Sequence, residues 1–218
     1  MPVAAIFDLD GTLVTFEFDI REWRRVLIGL MRERGFSTEG VDDGTPTQQV
    51  LDFARGQVAV DPGRFERLRS EAFLTLDSLE LRGVASSSVF PGTAEVLKSL
   101  RSKGVRLCVL TNSGRAAAYQ SLRKSGLLEF FEFVLTRDDT ETMKPRPEGV
   151  LKAVAMLGVT PGQACYVGDS RYDIMAAKQA GAVSVGVATG TYDAERLRKE
   201  GADFVIERLA DLPAVLGV

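Results

Sequence analysis

The chain has 218 residues, 45% hydrophobic and 26% charged, with a formal net charge of −3 and a pI near 5.2. That length accommodates one sizeable core or a core with a smaller insert, and the acidic balance argues against nucleic-acid or anionic-membrane partners. The absence of histidine excludes a Ser-His-Asp triad, a Cys-His pair and any histidine-containing zinc site, and two cysteines cannot form an all-cysteine zinc site or a disulfide framework.

The first predicted element is the apolar strand 3–7. No run near it or elsewhere approaches the ~20 apolar residues of a membrane span. The N-terminus lacks a basic region and is interrupted by Asp8, so no signal peptide is expected and the cytoplasm is the expected compartment. Directly after the strand come Asp8-Leu9-Asp10-Gly11-Thr12. Side chains at i and i+2 of a strand share a side, so Asp8 and Asp10 converge just past its end. Two such like charges perturb each other unless a cation or a shared proton lies between them. A phosphoryl-transfer site needs that arrangement, and a purely structural strand end gains little from it.

Between Val14 and about Ser88 strand-like runs are absent. Amphipathic spacing predicts helices over 21–34, 47–55 and 63–81, with a Gly-, Ser-, Thr- and Asp-rich loop over 35–46. This block reads as a small all-helical domain, residues 15–88, inserted after the first strand of a core formed by residues 1–14 and 89–218.

From Pro91 onward helices and strands alternate. Helix 92–103 precedes strand 105–110, and helix 115–125 is stopped by Gly126. Strand 131–135 and helix 147–157 follow, the latter with proline in its first turn. Strand 164–167, helix 172–180 and strand 183–187 come next, then helix 194–200, strand 204–206 and helix 209–216. Strands apolar on both faces alternating with helices imply an α/β fold, a Rossmann-like parallel sheet with helices on both faces. Functional groups in such sheets gather beyond the carboxyl ends of the strands.

Four strand ends carry polar clusters: Asp8, Asp10 and Thr12; Thr111-Asn112-Ser113; Lys144 ahead of a helix; and Gly168-Asp169-Ser170 with Asp173. Taken singly, each has an ordinary explanation. The Thr-Asn-Ser trio suits a turn and N-cap, Lys144 a solvated surface, and Asp169 and Asp173 a helix dipole. Together they match what phosphate-monoester cleavage requires: a nucleophile, a proton donor and positive charge on the non-bridging oxygens. Oxygen donors from Asp8, the Asp10 main-chain carbonyl and Asp169 suit magnesium. Asp173, four residues beyond Asp169, faces the same way on a helix.

The order Asp-Leu-Asp-Gly-Thr-Leu, Leu-Thr-Asn-Ser, Lys-Pro and Gly-Asp-Ser-x-x-Asp resembles the haloacid dehalogenase (HAD) superfamily over essentially the whole chain. It is most similar to the phosphoglycolate phosphatase-like members with a helical cap after the first strand. The resemblance implies a magnesium-dependent phosphatase of a small phosphorylated metabolite, phosphoglycolate-like or a sugar phosphate. It implies Asp8 as nucleophile forming an aspartyl-phosphate, Asp10 as acid and base, and Thr12, Thr111, Asn112 and Lys144 as the phosphate- and substrate-binding set. Asp8, Asp10 and Asp169 would hold Mg2+, with Asp173 in support. It also implies a first strand lying between those of Cys108 and Cys165. The two thiols would then be ~10 Å apart, beyond the ~7 Å reach of a disulfide.

The chain departs from many capped relatives in continuing with Val14-Thr15-Phe16 where an Asp-Ser pair is common. The lack of histidine disfavours a beta-phosphoglucomutase-like activity, and Asp10 disfavours a dehalogenase. The alternatives are a phosphomutase or phosphonate-cleaving enzyme and a catalytically idle scaffold of the same fold. Arg21, Arg24, Arg25, Arg64 and Arg67 are candidates to read a substrate carboxylate, although a solvated helix face explains any one of them. No nucleic-acid or membrane partner is expected, and the chain is expected to be a monomer or homodimer.

Overall fold

A computed structural model describes residues 2–16, 19–58 and 61–217. Along the chain run β1 (Ala4–Phe7), α1 (Ile20–Glu33), α2 (Thr47–Gly56), α3 (Pro62–Ser86), α4 (Thr93–Ser102), β2 (Arg106–Leu110), α5 (Arg115–Lys124), β3 (Val134–Leu135), α6 (Glu148–Met156), β4 (Ala164–Gly168), α7 (Arg171–Ala180), β5 (Val183–Val187), α8 (Ala194–Lys199), β6 (Phe204–Ile206) and α9 (Leu212–Leu216). They form two compact units, one of Met1–Phe16 with Val84–Val218 and one of Glu17–Gly83.

The first unit is built on a six-stranded sheet in the order β3-β2-β1-β4-β5-β6, every pair parallel. Alternate residues of β1 enter different cores. Ala5 and Phe7 pack with Val96, Leu97 and Leu100 of α4, Leu122 of α5 and Leu212 of α9. Ala4 and Ile6 pack with Val150 and Ala153 of α6 and Ala176 and Ala177 of α7. A strand with apolar side chains on both faces can only be an interior strand covered twice, which is where β1 lies.

The strand order reverses between β1 and β4, the position at which such sheets open a crevice at their carboxyl ends. Cys108 pairs with Ile6 and Cys165 with Ala5, on the two strands flanking β1. The offset of one residue turns the two thiols into different cores, and both are buried and free. Burial raises both thiol pKa values, that of Cys165 to about 12, so neither is a ready nucleophile.

Two details differ from the sequence pattern. The strand expected over 131–135 is regular only at Val134–Leu135, although Glu132 N–H still donates to the Leu107 carbonyl (2.9 Å) and the Phe133 carbonyl accepts from Val109 N–H (3.2 Å). The last helix begins as a 3-10 turn, Leu209–Asp211, before α9, in whose first turn Pro213 sits.

The second unit is helical, with no strand among its described residues. Trp23, Leu27 and Met31 on α1, Val50 and Ala54 on α2, and Phe65, Leu68, Ala72 and Leu76 on α3 are buried at helical spacing. Asp19 caps α1 by accepting from the N–H groups of Arg21 (2.9 Å) and Glu22 (3.1 Å). Four of the candidate arginines have partners within this unit. Arg24 donates to the Asp43 carbonyl (3.2 Å), Arg25 pairs with Asp43 (2.8 Å), Arg64 donates to the Arg34 carbonyl (2.6 Å), and Arg67 lies 3.5 Å from Asp61. No described helix is long and apolar enough to cross a membrane.

In the first unit, Thr15 and Ser88 are tied by Thr15 N–H to the Ser88 carbonyl (2.7 Å) and Ser88 N–H to the Thr15 hydroxyl (2.9 Å). The Lys124 ammonium donates to the carbonyls of Val84, Ala85 and Ser87 at 2.7–2.8 Å, closing off orphan acceptors at the end of α3.

Candidate active site

The ladder of β1 continues one residue beyond the strand, where Asp8 N–H donates to the Val167 carbonyl at 2.9 Å. This fixes the Asp8 backbone beside β4. Leu9 then turns into the core, and the chain folds back on itself through hydrogen bonds from Gly11 N–H to Val14 and from Leu13 N–H to Leu9. Gly11 takes φ of +80°, a left-handed conformation that glycine adopts without steric cost. Asp10, on the same turn, accepts a hydrogen bond of 2.5 Å from the Ser113 hydroxyl.

Asp8, Asp169 and Asp173 are all buried, and each offers a carboxylate oxygen within 4.8 Å of the others'. They come from the ends of β1 and β4 and the first turn of α7. Lys144 lies among them, 2.7 Å from Asp8 Oδ1 and 2.6 Å from Asp173 Oδ1, with its ammonium 5.4 Å from the centre of the Tyr166 ring. The other Asp173 oxygen accepts from Ser170 N–H (3.0 Å) and the Ser170 hydroxyl (2.6 Å), a capping box at the start of α7. Asp173 therefore orients Lys144 and anchors the helix at once.

One ammonium cannot balance three buried carboxylates. Burial, reinforced by Asp173 and Asp169, holds the Asp8 carboxyl well above its usual range even though Lys144 pulls the other way. Burial and Asp173 likewise push Asp169 up to about 6. Lys144 moves in the sense its surroundings dictate: burial opposes its charge, but Asp173 and Asp8 outweigh burial and raise its pKa. The cluster thus holds an excess of negative charge that a divalent cation relieves, and all its donors are the hard oxygens that magnesium prefers.

The remaining expected residues fall around this centre. Thr111 is buried; its N–H donates to the Leu135 carbonyl (3.0 Å), and its hydroxyl accepts from Ser113 N–H (3.0 Å). The Asn112 side chain is engaged with the main chain of Lys144, donating to its carbonyl (3.2 Å) and accepting from its N–H (3.0 Å). Its amide thus positions the lysine. Thr12 is fully buried, and its hydroxyl has no hydrogen-bond partner among the described residues.

Three contributors were not singled out from the sequence. Tyr166 lies under Lys144 and donates to the Leu110 carbonyl at 2.8 Å. Arg137, 1% exposed, donates to the Asn112 carbonyl (3.2 Å). The loop after β5 reaches the site through Thr189 and Thr191, donating to the Gly11 carbonyl (2.7 Å) and Asp169 Oδ2 (2.5 Å). The polar run Thr189-Gly190-Thr191 after an apolar strand is a fifth strand-end cluster, and the rule that found the other four points to it. Arg137, inside Thr-Arg-Asp-Asp, looks like any solvated turn.

Residues 3–181 match a family model described as haloacid dehalogenase-like hydrolase. A pyrophosphatase PpaX from Anoxybacillus flavithermus is 30% identical over 215 residues, covering 98% of this chain and 96% of the relative. A phosphoglycolate phosphatase from Salmonella paratyphi A is 35% identical over 130 residues, 60% of this chain and 52% of the relative. Among solved structures, a hydrolase from Pseudomonas syringae superposes with a TM-score of 0.66 at 24% identity, covering 98% of this chain and 97% of that one. A HAD family hydrolase from Deinococcus radiodurans with bound phosphate and sodium gives 0.62 at 25% identity, covering 99% and 95%.

Proposed function

The chain belongs to the haloacid dehalogenase-like hydrolases and is an enzyme of their phosphatase type, and from that premise we propose that it is a magnesium-dependent phosphatase of a small phosphorylated metabolite. The observation carrying this reading is the meeting of Asp8, Lys144, Asp169 and Asp173, from three separated segments, in one buried cluster at the carboxyl ends of the central strands. Asp8, the Asp10 main-chain carbonyl and Asp169 would hold the ion, with Asp173 behind them. Bound there, magnesium supplies positive charge against the non-bridging phosphoryl oxygens.

The protein's own groups account for the rest. An Asp8 oxygen attacks phosphorus as the bond to the leaving oxygen breaks, and Asp10 delivers a proton to that oxygen. Asp10 then takes a proton from the water that attacks the aspartyl-phosphate, the bond from Asp8 to phosphorus breaks, and inorganic phosphate leaves. The Ser113 hydroxyl fixes the carboxyl of Asp10 for both transfers. Lys144, already against Asp8, is the fixed cation for the phosphoryl group, and the Thr111 hydroxyl would be a further contact to its oxygens. Thr12 supports the same turn. The helical unit would act as a cap that selects the leaving group.

The PpaX and phosphoglycolate phosphatase relatives support pyrophosphate and phosphoglycolate as the first substrates to test. The acidic charge supports a protein with no nucleic-acid or membrane partner, and the two free, buried thiols suit the cytoplasm. Phosphate release from pyrophosphate, phosphoglycolate, sugar phosphates and p-nitrophenyl phosphate is measured with magnesium, with chelator and with Asp8→Asn. Turnover should vanish in the last two conditions, and acid quenching should trap phosphoenzyme only in the unmodified protein. Equal turnover in all three removes the mechanism.

A further inference from the structure

The loop joining β5 to α8 makes no contribution of acid, base or nucleophile, yet it encloses Asp169, one of the expected metal ligands. Thr191 N–H donates to Asp169 Oδ2 at 2.5 Å, and Tyr192 N–H donates to the Asp169 main-chain carbonyl at 3.2 Å. The Thr189 hydroxyl donates to the Gly11 carbonyl at 2.7 Å, on the turn that carries Asp8 and Asp10. Between these threonines, Gly190 lies so close that a Cβ there would run into both the Asp169 carboxylate and the Gly11 backbone. A Cβ on Gly11 would come within 2.5 Å of the same carboxylate oxygen. Asp169 Oδ2 is thus held between two glycine backbones with a main-chain donor already on it.

The geometry points to Thr189-Gly190-Thr191 as a positioning element that fixes the spacing between the Asp8–Asp10 turn and Asp169 and presents a single oxygen, Oδ1, of Asp169 to the ion. Magnesium takes one oxygen per carboxylate readily in a tight cage, whereas calcium uses more ligands and often both oxygens of a carboxylate. A loop that occupies Oδ2 therefore sets magnesium affinity and favours magnesium over calcium. This inference rests on the proposed metal site and extends it to residues that never touch the ion.

The test is calorimetric titration of the full chain with Mg2+ and with Ca2+, without substrate, in Thr189→Val, Gly190→Ala and Asp169→Asn. Partners behind metal ligands typically carry about 10–100-fold in affinity. Both loop variants should weaken Mg2+ binding by that order and lower the Mg2+/Ca2+ preference. Thr189→Val, which adds no bulk, should lower the metal-free melting temperature by no more than the loss of one hydrogen bond, and it decides the matter if Gly190→Ala does not fold. Unchanged Mg2+ affinity and preference in Thr189→Val, with binding lost in Asp169→Asn, overturns the positioning role and leaves the metal site standing. Mg2+ binding that survives Asp169→Asn overturns both.

Discussion

Asn112 and Lys144 hold each other in both directions, side-chain amide to main-chain carbonyl at 3.2 Å and main-chain N–H to side-chain oxygen at 3.0 Å. The pairing copies the two-way exchange of a sheet ladder and locks the segment that carries the lysine to the end of β2. Arg137 donates to the carbonyl of the same asparagine, so a chain of contacts runs from a buried guanidinium to the ammonium beside Asp8.

Loosening that chain should affect the chemical step. Asn112→Ala removes two hydrogen bonds, each of about 0.5–1.5 kcal/mol net, and should lower kcat/KM by about 5–100-fold with a smaller effect on melting temperature. Steady-state kinetics on pyrophosphate and p-nitrophenyl phosphate check it. Kinetics indistinguishable from the parent would mean that Lys144 is held by Asp8 and Asp173 alone.

Lys144 balances two buried carboxylates at once. Lys144→Met leaves both without their ammonium, and stripping one partner from a buried pair costs about 3–5 kcal/mol. The melting temperature should fall accordingly and turnover should cease. Adding Asp173→Asn to the same chain should restore part of the stability and none of the turnover. Thermal melts of the single and double variants separate the two effects.

Asp10 is assigned to protonate the leaving group, so its importance depends on how good that group is. Asp10→Asn should slow leaving-group release in the first turnover by about 10²–10⁴-fold on alkyl phosphates and by much less on p-nitrophenyl phosphate, whose leaving oxygen needs no proton. Steady-state turnover, which also needs Asp10 as base, should fall on both. Ser113→Ala, which frees the Asp10 carboxyl from its 2.5 Å hydrogen bond, should show the same ordering at smaller size. Single-turnover release across a leaving-group series is the measurement, and equal first-turnover losses across it would count against Asp10 as the acid.

The metal-free protein should become more stable as pH falls from 7 towards 5. The folded state holds a proton on Asp169 up to about pH 6, whereas an unfolded aspartate releases it near pH ~3.9. Between those values the folded state binds more protons, so the free energy of unfolding decreases as pH rises through the window. Asp8 acts in the same direction, since its carboxyl is also raised by burial. The accumulated difference should be about 1–3 kcal/mol. Saturating Mg2+ should flatten it by stabilising the ionised carboxylates. Denaturant melts at pH 5, 6 and 7, with chelator and with Mg2+, give the answer.

What the sequence discloses is the part of the site whose chemistry lies in consecutive residues after an apolar run. Asp8 and Asp10 follow β1 directly, Thr111 and Asn112 follow β2, and Asp169 follows β4. The interior strands were legible for the same reason, since Ala4–Phe7 and Ala164–Gly168 are apolar on both faces. The shortness of β3 was not, because hydrophobicity does not reveal where regular pairing begins along an apolar run. Tyr166 and Arg137 could not be ranked, as their roles depend on which neighbours tertiary packing supplies. Thr191 acts through its main-chain N–H, a group every non-proline residue carries, and no residue type announces that use.

The central position of β1 has a consequence for biogenesis. Synthesis delivers Ala4–Phe7 well before both of its hydrogen-bonding neighbours, Arg106–Leu110 and Ala164–Gly168. Until then a wholly apolar segment has two open edges, the condition that invites pairing with another chain. A truncation that removes β4 leaves one edge of β1 unpaired and should leave insoluble protein.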